Sequence, residues 1–166
     1  MQKHKGFILQ IGTSPIDGHR FVVILTMKSK NRKTGNMAQV WILREDVDPV
    51  TAVASGADET ICGDCGHRKQ PDGSRSCYVN VGQAPLAVWR AYHAGAYRSD
   101  LHCIDARKAV KGRRVRFGAY GDPALIDPMV FRIIANAADG HTAYTHQWRQ
   151  PWAQWAAGKM QTSCDG

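Results

Sequence analysis

The 166-residue chain has no apolar run near the ~20 residues that a helix needs to cross a bilayer. Its start, MQKHKGFILQIGTS, places charge before an apolar stretch too short for a secretory h-region. No membrane span or export signal is therefore expected, and the reading is a cytoplasmic protein. Internal repeats, low-complexity tracts and flexible linkers are also missing, which predicts one domain over residues 1–166. Acidic residues are the scarcer sign, 14 against 22 Lys and Arg, for a net charge of +8 and a pI near 9.5. That balance permits a nucleic acid or another polyanion as partner. The positive charge gathers in KSKNRK, with Lys28, Lys30, Arg32 and Lys33, and in KGRRVR, with Arg113 and Arg114. Aromatic residues are interleaved with neither cluster, so no stacking platform for single strands is evident. A merely solvated basic face is the alternative.

What is present suffices for a buried core: 43% of residues are hydrophobic and 22% are charged. Five cysteines are an odd number, and in a reducing compartment they are expected to be ligands or buried thiols rather than disulfides. Three of them define the most informative stretch, ICGDCGHRKQPDGSRSCYVN. Cys62 and Cys65 form a C-x2-C turn, whose glycines let the backbone fold its amides toward the thiolates. Cys77 follows at the mouth of a predicted strand, 77–81. Three sulfurs so placed would supply most of a zinc coordination sphere. Arg68 and Lys69 are expected to favour the thiolates. The competing reading is a surface loop with spare thiols. For a fourth ligand, His67 is close in sequence, while Cys103 beside His102 or Cys164 would have to return in space. If only three cysteines bind, an open position remains, as catalytic zinc and some iron–sulfur sites require.

Around this loop the pattern predicts an α/β fold. Apolar, β-branched runs at 7–11 and 20–27 read as adjacent strands, and 37–43 as an interior third strand. Asp48-Pro49 opens a short helix that ends at Gly56. After the cysteine loop the expected order is βαβαβ: strand 77–81, helix 83–97, strand 114–120, helix 129–138 capped by Asp127-Pro128, and strand 142–148. A short helix at 105–110 and a terminal helix at 151–157, packing Trp152 and Trp155, complete the set. This order implies parallel strands with right-handed crossovers.

In such a sheet, ligands collect at the carboxyl ends of strands. Asp122 lies just past one strand in a Gly-Asp-Pro turn, and His146 near the end of another. A carboxylate and an imidazole converging there would suit acid–base work or a polar substrate. The plainer alternatives are a turn-forming aspartate and a hydrogen-bonded core histidine. His93, on the helix that starts at 83, is read as exposed.

The combination KTGNMAQVWILR, ICGDCGHR, SCYVNVGQAP, RFGAYGDP and HTAYTHQWR resembles an uncharacterised family of phage and mobile-element proteins, over residues 6–149. The resemblance implies no activity. It implies that longer relatives continue with more sheet and a second Cys-rich segment, so a shortened form is expected here, working in the host cytoplasm if phage-encoded. More faintly, GAYGDPALIDPMVFRIIANAA is similar to the radical-SAM pattern in which a Gly-Gly-Glu-Pro turn precedes a helix. In those enzymes three cysteines hold a [4Fe–4S] cluster. The order of parts agrees; the spacing C-x2-C-x11-C, against C-x3-C-x2-C, and Asp for Glu depart from it, and what the likeness implies is a partial (β/α) barrel.

Three functions follow from these residues. One is a zinc-stabilised protein that binds nucleic acid through its basic loops. The second is an enzyme with a [4Fe–4S] cluster that uses Asp122 and His146. The third is a phage protein that binds a host protein, its metal only stapling the fold.

Overall fold

The computed structural model describes residues 5–27 and 35–162. Lys28, Lys30, Arg32, Lys33 and Cys164 lie outside the described residues.

The sheet begins with a hairpin. Strands β1 (Gly6–Thr13) and β2 (Arg20–Thr26) pair antiparallel from Gly6↔Thr26 to Thr13↔Arg20, with a bulge between Ile8 and Gln10. β3 (Ala38–Arg44) lies antiparallel on the other side of β2. Nearly every residue of β2 and β3 is buried, as expected for strands covered on both faces. The chain then leaves the sheet through α1 (Pro49–Ser55), where Asp48 accepts from the Thr51 amide, and the single turn α2 (Glu59–Cys62). After the cysteine loop come α3 (Ala84–His93), the two-residue edge strand β4 (Arg98–Ser99) and the short α4 (Ala106–Ala109). β5 (Arg114–Tyr120) inserts parallel to β3. A 3-10 turn at Pro123–Leu125 and α5 (Pro128–Ala137) cross over to β6 (Gly140–Thr145), parallel to β5. A 3-10 helix over Pro151–Ala156 leads to β7 (Gln161–Thr162).

The sheet has seven strands in the order β4-β1-β2-β3-β5-β6-β7. The fold is mixed α/β, and most strand pairs are parallel. β4 and β7 stand at opposite edges, so the sheet is open and the expected partial barrel is not closed. The core runs along β2, β3 and β5 and is capped by Ile61, Leu125, Ile126, Phe131 and Ile134. Among the described residues no helix is long and apolar enough to cross a membrane.

Residues 77–81 are not a strand. β5 is flanked by β3 and β6, so the sheet offers no place beside it. The segment pairs instead within its own loop: the Cys77 amide donates to the His67 carbonyl at 3.0 Å. Arg75 Nη1 donates to the Val79 carbonyl at 2.9 Å. The βαβαβ succession expected from Cys77 onward therefore starts from β3. The helix expected over 83–97 is shorter, and that expected over 151–157 is of 3-10 type.

Two glycines shape the end of β5. The pairing with β3 runs Val40↔Phe117 and then jumps to Trp41↔Tyr120. Gly118 absorbs this bulge at φ 78°, and a Cβ there would stand 2.8 Å from Pro123 Cδ. Gly121, at φ 80°, lies so close to β3 that a Cβ would meet the Ile42 carbonyl oxygen at 2.5 Å. An L side chain is disfavoured at both positions.

Candidate functional site

The cysteine loop is held by its backbone and one arginine. α2 ends on Cys62, and the Cys65 amide donates back to the Cys62 carbonyl at 3.2 Å, closing the C-x2-C turn. The same carbonyl accepts from Gln147 Nε2 at 3.0 Å, which ties the turn to the chain after β6. Arg68 forms an ion pair with buried Asp58 at 2.7 Å and donates to the carbonyls of Gly63 and Gly56. Its charge is thereby committed to the loop. Lys69 reaches toward the Ala54 carbonyl. Burial pushes the Cys62 thiol well up, reinforced by Asp58, Cys65, Asp122 and Cys77. A cation bound at sulfur would reverse that balance.

The loop returns through a tight turn at Pro71-Asp72-Gly73. There the Gln70 amide donates to the Ser74 carbonyl at 2.7 Å, and Asp72 accepts from the Ser74 amide and hydroxyl. This turn brings Ser76 Oγ to 2.8 Å from His67 Nδ1 and sets Cys77 beside His67.

The facing wall comes from the carboxyl ends of β5 and β6. Asp122 is 5% exposed. Its Oδ1 accepts from the Ala124 amide at 2.9 Å and Thr145 Oγ1 at 2.8 Å, and its Oδ2 from the His146 amide at 2.9 Å. The Asp122 amide donates to the Ile61 carbonyl. Burial raises the Asp122 pKa, against the pull of these donors and of His146. Asp122 and His146 do converge, yet the carboxylate takes the histidine's backbone N–H. Asp122 is a bracket that clamps the two strand ends and the cysteine helix together. The His146 ring meets the His67 ring edge to face, with centroids 5.5 Å apart.

Between these walls lies a cavity of about 390 Å³. Cys62, Cys65, Cys77, His67, Asp122 and His146 all line it, together with Arg75, Arg116 and Tyr120. Residues 85 positions apart in the chain, such as Cys62 and Gln147, thus meet at one rim. Among the described residues, no three His, Cys, Asp or Glu side chains stand grouped so as to hold a metal ion. The sulfurs share a wall and would have to turn toward one centre to share an ion.

Several candidates lie elsewhere. Cys103 is fully buried in the core, where burial, with Asp100 and Asp127, pushes its thiol up to about 11. It does not line the cavity. His93 packs on Trp89 at 4.2 Å and bonds the Glu45 carbonyl at 2.8 Å. Arg113 and Arg114 sit at the other end of β5. Arg113 Nη1 donates to the Met27 carbonyl at 2.6 Å, and Arg114 is exposed.

Sequence reasoning missed Asp58, Arg75, Arg116 and Tyr120. The last two had a signal: along RVRFGAY, period-two spacing puts Arg116, Gly118 and Tyr120 on one face, and all three line the cavity. Arg75 and Asp58 had none, because their placement depends on how the loop closes. Compared with known proteins, the chain matches no family model, no curated protein and no solved structure.

Proposed function

We propose that this protein binds a thiophilic metal, zinc, through Cys62, Cys65 and Cys77, with His67 or His146 completing the sphere. The supporting observation is convergence: three cysteines and two histidines, drawn from the 62–77 loop and the end of β6, line one cavity. Zinc takes such nitrogen and sulfur ligands tetrahedrally, with Zn–S bonds of ~2.3 Å. Binding would deprotonate the thiols and release the Cys62 proton that burial holds in place.

Elemental analysis of protein purified without air tests this reading. About one zinc per chain is expected, lost in Cys65→Ser and in Cys77→Ser. A Cys65→Ser protein with full metal content would contradict it. The site's position favours one alternative, since it lies at the carboxyl ends of parallel strands beside Gly121-Asp122-Pro123. A [4Fe–4S] cluster on three cysteines would leave one iron open to a ligand there, and such protein would be brown rather than colourless.

Nucleic-acid binding is carried by the opposite rim. There Arg113 donates to the Met27 carbonyl and Arg114 is exposed. Retention on DNA at low salt that weakens with Arg114→Glu is expected, with a slope reduced by about one per lost phosphate contact. Unchanged retention would rule out Arg114 as a contact, and no retention of the parent protein at low salt would favour a host protein as the partner.

A further inference from the structure

Two polar atoms of the cavity wall have no hydrogen-bond partner among the described residues: Tyr120 Oη and Arg75 Nε, both buried. Tyr120 is only 3% exposed, at the end of β5 where the Gly118 bulge turns it. Cys62, Asp58, Cys77 and Arg75 line the same cavity as Tyr120. Arg75 is pinned by its Nη1, which donates to the carbonyls of Val79 and Cys77, and this fixes where its Nε–H points. A buried donor without an acceptor is costly, and a guanidinium N–H can only donate.

We infer that Tyr120 and Arg75 form the head-group subsite for a small organic oxyanion, a carboxylate with an apolar body, bound in this cavity. Charge favours an anion over a neutral carbonyl. The wall carries Arg68, Arg75 and Arg116 against Asp58 and Asp122. Asp58 is paired with Arg68, and Asp122 is saturated by three donors. Phe117, Val79, Tyr78 and Tyr144 supply apolar and aromatic wall for the body of the ligand. Neither donor is a proposed metal ligand, so the inference stands apart from the metal reading.

The test is calorimetric titration of the purified protein with 3-phenylpropionate, phenylphosphonate and 3-phenylpropanol. The acid should bind at least about tenfold more tightly than the alcohol, a difference of about 1.4 kcal/mol. Tyr120→Phe should weaken the acid by a similar factor while its Tm stays level or rises, because the lost hydroxyl had no partner. Arg75→Lys keeps the charge without the fixed Nε–H and should also weaken it. Tighter binding of the phosphonate would keep the subsite and identify the head group as phosphoryl. Equal binding of acid and alcohol, no binding at millimolar concentration, or a Tyr120→Phe protein that loses Tm but keeps its affinity would overturn the inference. If Arg75→Lys does not fold, Tyr120→Phe decides alone, since it removes one oxygen. Metal content is measured on the same samples, so a lost metal site and a lost anion site are told apart.

Discussion

The two ends of β5 are built from similar residue types and are used in opposite ways. At the amino end, Arg113 bonds a single carbonyl and Arg114 is exposed. At the carboxyl end, Arg116, Tyr120 and Asp122 line a cavity with three cysteines and two histidines. The difference arises in the backbone. The amino end keeps regular register, Arg114↔Gly140 and Val115↔His141, with Val115 buried and Arg114 exposed. At the carboxyl end Gly118 and Gly121 break the register with β3, and the turn folds back under the cysteine helix. Charge at an unbroken strand end remains a surface property. Charge at a broken, covered end must be neutralised, bonded or left for a ligand.

The contrast can be broken most severely at Gly121. Gly121→Ala sets a Cβ against the Ile42 backbone and forces a left-handed conformation, so a loss of about 3 kcal/mol or more in urea unfolding is expected. Asp122→Asn comes next. It keeps the shape but turns an amide donor toward donors from Ala124, Thr145 or His146, at a cost of about 2 kcal/mol. A change below half that size would mean that the bracket is slack and that the carboxylate serves a ligand. Cys103 offers a comparable effect away from both rims. Its folded pKa of about 11 lies above the ordinary thiol value of 9.0, so the folded state holds the proton longer. Stability is then full below pH 9 and falls as pH rises through that window, by about 2 kcal/mol. Cys103→Ala should lack this component when alkaline melts of the two proteins are compared. The smallest effect belongs to the amino end: Arg114→Gln should change stability by less than about 0.5 kcal/mol. A large loss there would erase the distinction between the two ends.

Much of the scaffold was legible in local chemistry. Asp48-Pro49 and Asp127-Pro128 cap α1 and α5 as expected, with Asp127 accepting from the Met129 and Val130 amides. The apolar, β-branched runs of β1, β2 and β3 marked them as strands, and β2 and β3 are buried almost throughout. Residues 77–81 misled because Cys-Tyr-Val-Asn-Val has strand composition, while strand pairing depends on a vacancy beside β5 that β6 fills. Cys103 could not be told from a ligand by spacing, since its burial arises from contacts made around β4 and α4. Asp122 was visible as a turn former. Its role as a clamp was not, because Thr145 and His146 approach only once β6 has docked.

In the proposed site the sulfurs of the carboxyl rim converge on one ion. X-ray absorption at the zinc edge, on protein purified without air, measures this directly. A first shell with three sulfurs at ~2.3 Å and one nitrogen at ~2.0 Å is the result expected. A shell of oxygen and nitrogen alone, or one unchanged in the Cys77→Ser protein, would contradict it.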